Sequence, residues 1–233
     1  SYRVISFDAR GSGESSLHPP YTHAQWVADL DGLRAHFGDE HIILTGGSYG
    51  GYVALEYTLA HPERVTHLIL RDTSASRRFE DLARANALAR AHAYPGITEE
   101  LLHRVFSGRV RDDDDMREIW ATLAPLYDAK ADPDKVRQRV ASAIFHADTH
   151  NAAFAHELPK YDLTARLHEI RIPTLIVVGR HDWITPVAAS KEIAAGIPGS
   201  ELVIFENSGH SPQLEENEAF IATVRSFLAR HGA

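Results

Sequence analysis

The sequence has no cysteine among its 233 residues. Disulfides, thiolate zinc sites and a cysteine nucleophile are therefore excluded. A chain without thiols is compatible with the cytoplasm, which is the expected localisation. Blocks of positive charge are also missing. The formal net charge is −8 and no Lys/Arg run stands out, so a phosphate-tracking surface is not expected and nucleic acid is not an expected partner. No apolar run approaches the roughly 20 residues of a membrane span, and the first residues do not read as a signal peptide, so no membrane partner is expected. What remains is a chain 44% hydrophobic, enough for a sizeable core. Its length suits one large domain or a core carrying an insertion.

Short runs rich in Val, Ile and Leu recur at Arg3–Asp8, His41–Thr45, Val65–Arg71, Thr174–Val178 and Glu201–Phe205. Their near-continuous apolar character predicts parallel strands buried on both faces. Helical stretches at Thr22–Phe37, Gly50–Ala60, Pro186–Ala195 and Glu216–Arg230 alternate with them. That alternation predicts an α/β fold with a doubly wound, mostly parallel sheet. Between residues 76 and 161 the pattern is helical throughout, with no strand candidate. We read 1–75 and 162–233 as two parts of one core and 76–161 as an inserted helical lid. Asp112–Asp115 are expected as carboxylates at the start of a helix beginning near Met116, rather than a calcium site.

Gly46-Gly47-Ser48-Tyr49-Gly50 lies between a strand and a helix, the setting a nucleophile elbow requires. Serine at the tip takes a strained backbone, and the flanking glycines let neighbouring chain pass without a Cβ clash. The helix behind it aims N–H groups at a developing oxyanion, so the Tyr49 N–H is one expected donor. A serine nucleophile needs a base, and the base an orienting carboxylate, in the chain order Ser, acid, His. Asp182 follows the strand Thr174–Val178, and His210 follows Glu201–Phe205. Both are expected at the strand edge where sites of open α/β sheets collect. Asp72, after Leu68-Ile69-Leu70, is the rival acid, and His181 the rival base. His146 and His150 have helical metal-ligand spacing, but no further ligand cluster accompanies them. A solvated helix end is the expectation there, and neither a metal nor an organic cofactor is expected.

These residues, with Asp8-Ala9-Arg10-Gly11-Ser12-Gly13-Glu14-Ser15 and His61-Pro62-Glu63-Arg64-Val65, resemble the α/β-hydrolase superfamily, and the elbow is similar to that of proline iminopeptidases and related hydrolases. The resemblance implies a hydrolase core with a helical lid. It also implies further strands and a His-Gly-rich loop ahead of Arg3–Asp8, the loop supplying a second oxyanion N–H. An N-terminal segment or a separate chain is thus expected to complete the fold. Proline iminopeptidases use lid glutamates to hold a free α-amino group, and their usual lid motif has no obvious match here. Glu157, Glu99 and Glu100 are the candidates, Glu157 foremost.

The expected function is a serine hydrolase forming an acyl-enzyme, with a small peptide or amino-acid amide as substrate. A carboxylesterase or lactonase acting on small apolar esters is the alternative, and a non-catalytic binding protein on the same fold a further one. A lid carboxylate facing Ser48 would favour the amide, and an all-apolar pocket the ester. Tyr94, Phe106, Trp120, Tyr127, Phe145 and Phe154 are expected to include pocket liners.

Overall fold

The computed structural model describes residues 2–233. After an irregular opening segment, α1 (His23–His36) leads into β1 (Ile42–Gly47), α2 (Tyr49–Ala60) and β2 (Val65–Arg71). Five helices follow: α3 (Glu80–Ala89), α4 (Glu99–Phe106), α5 (Asp113–Leu123), α6 (Pro133–Ser142) and α7 (Ala147–Ala152). The chain then returns through β3 (Thr174–Gly179), α8 (Val187–Gly196), β4 (Glu201–Phe205), α9 (Pro212–Glu215) and α10 (Asn217–Arg230). The strands are all parallel, in the order β1-β2-β3-β4. All four C-terminal ends therefore open on one edge.

The inner strands show why this sequence makes a two-faced sheet. Every residue of β3 is buried, and Leu68, Ile69 and Leu70 of β2 are buried side by side. Their side chains alternate between the two faces. Leu68, Leu70 and Ile176 join Leu55 of α2 and Ile193 of α8 in one core. Ile69, Leu175 and Val177 join Phe205 and Phe227 of α10 in the other. Burying each large apolar side chain stabilises the fold by roughly 1.5–3 kcal/mol. Local signals set the helix ends: the Thr22 hydroxyl accepts the Gln25 N–H at the start of α1, and Gly38, at φ 72°, follows its end.

The helices between β2 and β3 have their own core of Ala87, Leu102, Phe106, Ile119 and Leu126, into which Trp183 inserts from the main body. Ser76 and Asp162, at the base of this helical segment, form an antiparallel bridge. Among the described residues no helix is long and apolar enough to cross a membrane.

Two expectations are corrected here. Residues 3–8 are not a strand: they pair with nothing in the sheet, and Val4 is 84% exposed. An apolar run becomes a strand only where a neighbour takes up its N–H and C=O groups and a layer covers it. Among the described residues neither stands beside this segment. The helix expected near Met116 begins earlier, because the Asp112 carboxylate accepts the Asp115 N–H at 2.8 Å and caps α5.

Candidate active site

The elbow is built from the end of β1. Ser48 adopts φ 51°, ψ −125°, a region that side-chain-bearing residues rarely occupy. Its N–H donates to the carbonyls of Arg71 and Asp72 at 2.9 and 3.0 Å, and the Thr73 hydroxyl donates to its carbonyl at 2.8 Å. The strained turn is thus held by the end of β2. A Cβ at Gly46 would stand 2.4 Å from the Gly50 carbonyl oxygen, so only glycine allows so close a passage. Tyr49 opens α2, its hydroxyl 2.7 Å from His23 Nε2, whose Nδ1 is 2.7 Å from Glu56.

Asp182 and His210 come from the loops after β3 and β4. Asp182 Oδ2 faces His210 Nδ1 at 2.8 Å and accepts the Thr185 hydroxyl at 2.6 Å. Its Oδ1 accepts the Ile184 and Thr185 N–H groups. This carboxylate is therefore anchored on both oxygens. His210 is buried, and burial alone would lower its pKa. The adjacent Asp182 charge and hydrogen bond outweigh that and raise it above the ordinary value. His210 Nε2 is buried without a hydrogen-bond partner. The backbone of the His loop is pinned to the helical segment, with the His210 N–H donating to the Tyr127 carbonyl at 2.7 Å.

The rival residues fall elsewhere or in unexpected roles. His181 is exposed. Asp72 is fully buried beside the pair, and its nearest ligand atoms and those of Asp182 and His210 lie within 4.8 Å of one another. That trio could in principle hold a metal. Its atoms are already engaged, however: His210 Nδ1 with Asp182, and Asp72 Oδ1 with the Gly179 N–H at 2.9 Å. Burial first, and then the Asp182 charge, push the Asp72 carboxyl well above the usual carboxylate range. His146 and His150 are not a solvated helix end as expected. Each Nε2 hydrogen-bonds a backbone carbonyl, that of Gly13 at 2.9 Å and that of Val105 at 3.0 Å.

A cavity of about 780 Å³ opens over Ser48, between the strand edge and the helical segment. Of the six expected aromatic residues, five line it, while Tyr94 packs against the core of the helical segment. The walls are largely apolar. Glu157 is not among the lining residues; its Oε2 accepts the His23 N–H at 3.0 Å, at the start of α1. Glu99 pairs with Arg84 at 2.9 Å and Glu100 is exposed. The helical segment's one carboxylate on the wall is Glu80, paired with Arg77. Nothing in the sequence singled out Glu80: an Arg and a Glu three apart at a helix start is an ordinary surface pattern.

Residues 1–217 match the family model described as "alpha/beta hydrolase fold". The chain is 37% identical over 232 residues to the proline iminopeptidase PfmaB of Pestalotiopsis fici, covering 99% of this chain and 83% of that protein. It is 31% identical over 242 residues to a proline iminopeptidase of Lactobacillus crispatus, covering 98% of this chain and 81% of that one. Among solved structures, an alpha/beta fold family hydrolase from Bacillus anthracis superposes with a TM-score of 0.76 at 23% identity, covering 95% of this chain and 80% of that one. A thermophilic esterase from Thermogutta terrifontis does so with a TM-score of 0.70 at 28% identity, covering 97% and 79%.

Proposed function

The chain belongs to the α/β-hydrolase fold family and is a hydrolase of that class, and from this premise we propose that it works as a serine hydrolase through an acyl-enzyme on small, largely apolar acyl substrates. The observation that carries the reading is the strained Ser48 elbow, bonded through its N–H to Asp72, whose carboxyl clusters with the Asp182–His210 pair at 2.8 Å. Ser48 attacks the substrate carbonyl while His210 Nε2 takes its proton; Asp182 fixes the Nδ1–H tautomer and stabilises the imidazolium. The oxyanion forms against the Tyr49 N–H at the start of α2, where the helix dipole adds to the donor. His210 then delivers the proton to the leaving group, and water attacks the acyl-enzyme with His210 again as base.

The cavity wall supports a small ester over an aminoacyl amide. An ammonium group would need an unengaged carboxylate on the wall; Glu80 is already paired with Arg77, which leaves Asp8, an exposed residue whose carboxylate accepts the Glu14 N–H. A second reading, an aminopeptidase acting on a free N-terminus, is supported by the names of the relatives and by the presence of Glu80 on that wall. In that case the substrate ammonium would displace Arg77. Glu157, whose carboxylate serves α1, is the weaker candidate for that contact.

The test is intact mass after treatment with an organophosphonate serine probe, on the parent and on Ser48→Ala. One label per chain in the parent and none in the variant is the expected outcome. A folded, unlabelled parent would sink the serine-hydrolase reading. Matched esters and aminoacyl amides then separate the two substrate classes.

A further inference from the structure

We propose that Asp72 is a second acid of the relay, a positioning residue that faces His210 beside Asp182 and takes over the orientation of the imidazolium when Asp182 is neutralised. This rests on the Ser48–His210 reading above.

Asp72 immediately follows β2 and is 0% exposed. Among the described residues, Ser48 and Asp72 are the two non-glycine positions with positive φ, 51° and 46°, and they are bonded to each other, the Ser48 N–H donating to the Asp72 carbonyl. Four groups face the Asp72 side chain. The Gly179 N–H donates to Oδ1 from β3, and Arg71 Nη1 stands 3.5 Å from Oδ2. Asp182 and His210 complete the circle within the 4.8 Å cluster. The same Arg71 Nη1 donates to the His210 carbonyl at 3.2 Å, so the end of β2 holds the His loop as well.

A purely structural part does not account for this residue. Asparagine tolerates positive φ at least as well as aspartate and offers the Gly179 N–H the same oxygen. A second buried carboxyl beside Asp182 adds only repulsion, unless one of the two holds a proton. Burial and the Asp182 charge keep that proton on Asp72 at neutral pH. The resting trio then carries one negative charge, on Asp182. When His210 Nε2 receives the Ser48 proton, its Nδ1–H stays bonded to Asp182. In Asp182→Asn the second of those two effects is gone while burial remains, so Asp72 ionises more readily as pH rises. Asp72 releases its proton to solvent, and its carboxylate becomes the counter-charge of the imidazolium.

The experiment measures the rate of organophosphonate labelling across pH for the parent, Asp182→Asn, Asp72→Asn/Asp182→Asn and His210→Ala, with circular dichroism on each. We expect Asp182→Asn to label roughly 10²-fold more slowly than the parent, and the double variant at least about tenfold more slowly again, near His210→Ala. The Asp182→Asn rate should also climb with pH through a limb that the double variant lacks, a response that a structural role would not produce. A double variant as fast as Asp182→Asn, or an Asp182→Asn no faster than His210→Ala, overturns the proposal. The second comparison needs no change at position 72, so it stands even if the double variant misfolds. An unlabelled parent brings down the hydrolase reading and this inference together. A labelled parent with either overturning pattern removes the Asp72 role alone.

Discussion

His150 stacks on Phe154 with ring centroids 4.2 Å apart and gives its Nε2–H to the Val105 carbonyl. Burial lowers its pKa to about 4, although that hydrogen bond works the other way. The sign of the linkage follows. Between pH 6.5 and 4 the unfolded chain takes up a proton here that the folded chain refuses, so stability falls as pH falls through that window and is intact above it. The loss is on the order of 3 kcal/mol for this one ring. We expect His150→Phe to flatten the acid side of a Tm-against-pH curve; an unchanged slope would remove His150 as its source. His210 has the opposite sign, since its raised pKa contributes stability at low pH that is lost as pH rises through it. At this scale the sequence was legible wherever a motif carried its own geometry. Ser48 could be placed because glycines flank it between a strand and a helix, and Asp182 and His210 because each follows a strand. Asp72, Glu80 and His150 owe their surroundings to partners from distant segments, Gly179, the cavity wall and Val105 respectively, and no local pattern encodes those meetings.

Elements meet in the loop that carries His210. Glu215, the last residue of α9, accepts the Gly209 N–H on one carboxylate oxygen and the Ala129 N–H on the other, both at 2.7 Å. One side chain thus joins the His loop to the segment between α5 and α6. Glu215→Ala leaves two N–H groups without this acceptor, each costing about 1–3 kcal/mol where water cannot replace it. Loss of alignment should lower kcat by roughly ten- to a hundredfold. Glu215→Gln keeps one acceptor oxygen and should fall between the parent and the alanine variant. An alanine variant with parental kcat would show that the loop holds its position without the clamp. The strands were legible at this scale because Leu68–Leu70 of β2 and Leu175–Val178 of β3 are continuous apolar runs buried on both faces. Residues 3–8 also carry apolar side chains, Val4, Ile5 and Phe7, yet form no strand, because composition describes a strand's own side chains and not its neighbour.

The whole molecule places a cavity of about 780 Å³ between the strand edge and the helical segment, a volume suited to a small ligand. With p-nitrophenyl esters of increasing acyl length, kcat/KM should rise while added methylenes still find apolar wall, by up to roughly 0.8 kcal/mol each, and then fall once the space is full. Ile144, on the wall and 51% exposed, offers a place to shorten it. Ile144→Trp should move the optimum to shorter chains with little change for acetate, and an unmoved optimum would place the acyl chain elsewhere. The position of the helical segment in the chain has a kinetic consequence. α1 through β2 are near neighbours in sequence and can associate early, whereas β3 pairs with β2 only after an excursion of about one hundred residues has closed. The half of the chain that bears Ser48 can therefore assemble ahead of the half that bears His210. A refolding experiment should see the tryptophan of α1, Trp26, reach its native fluorescence before the capacity for covalent labelling returns.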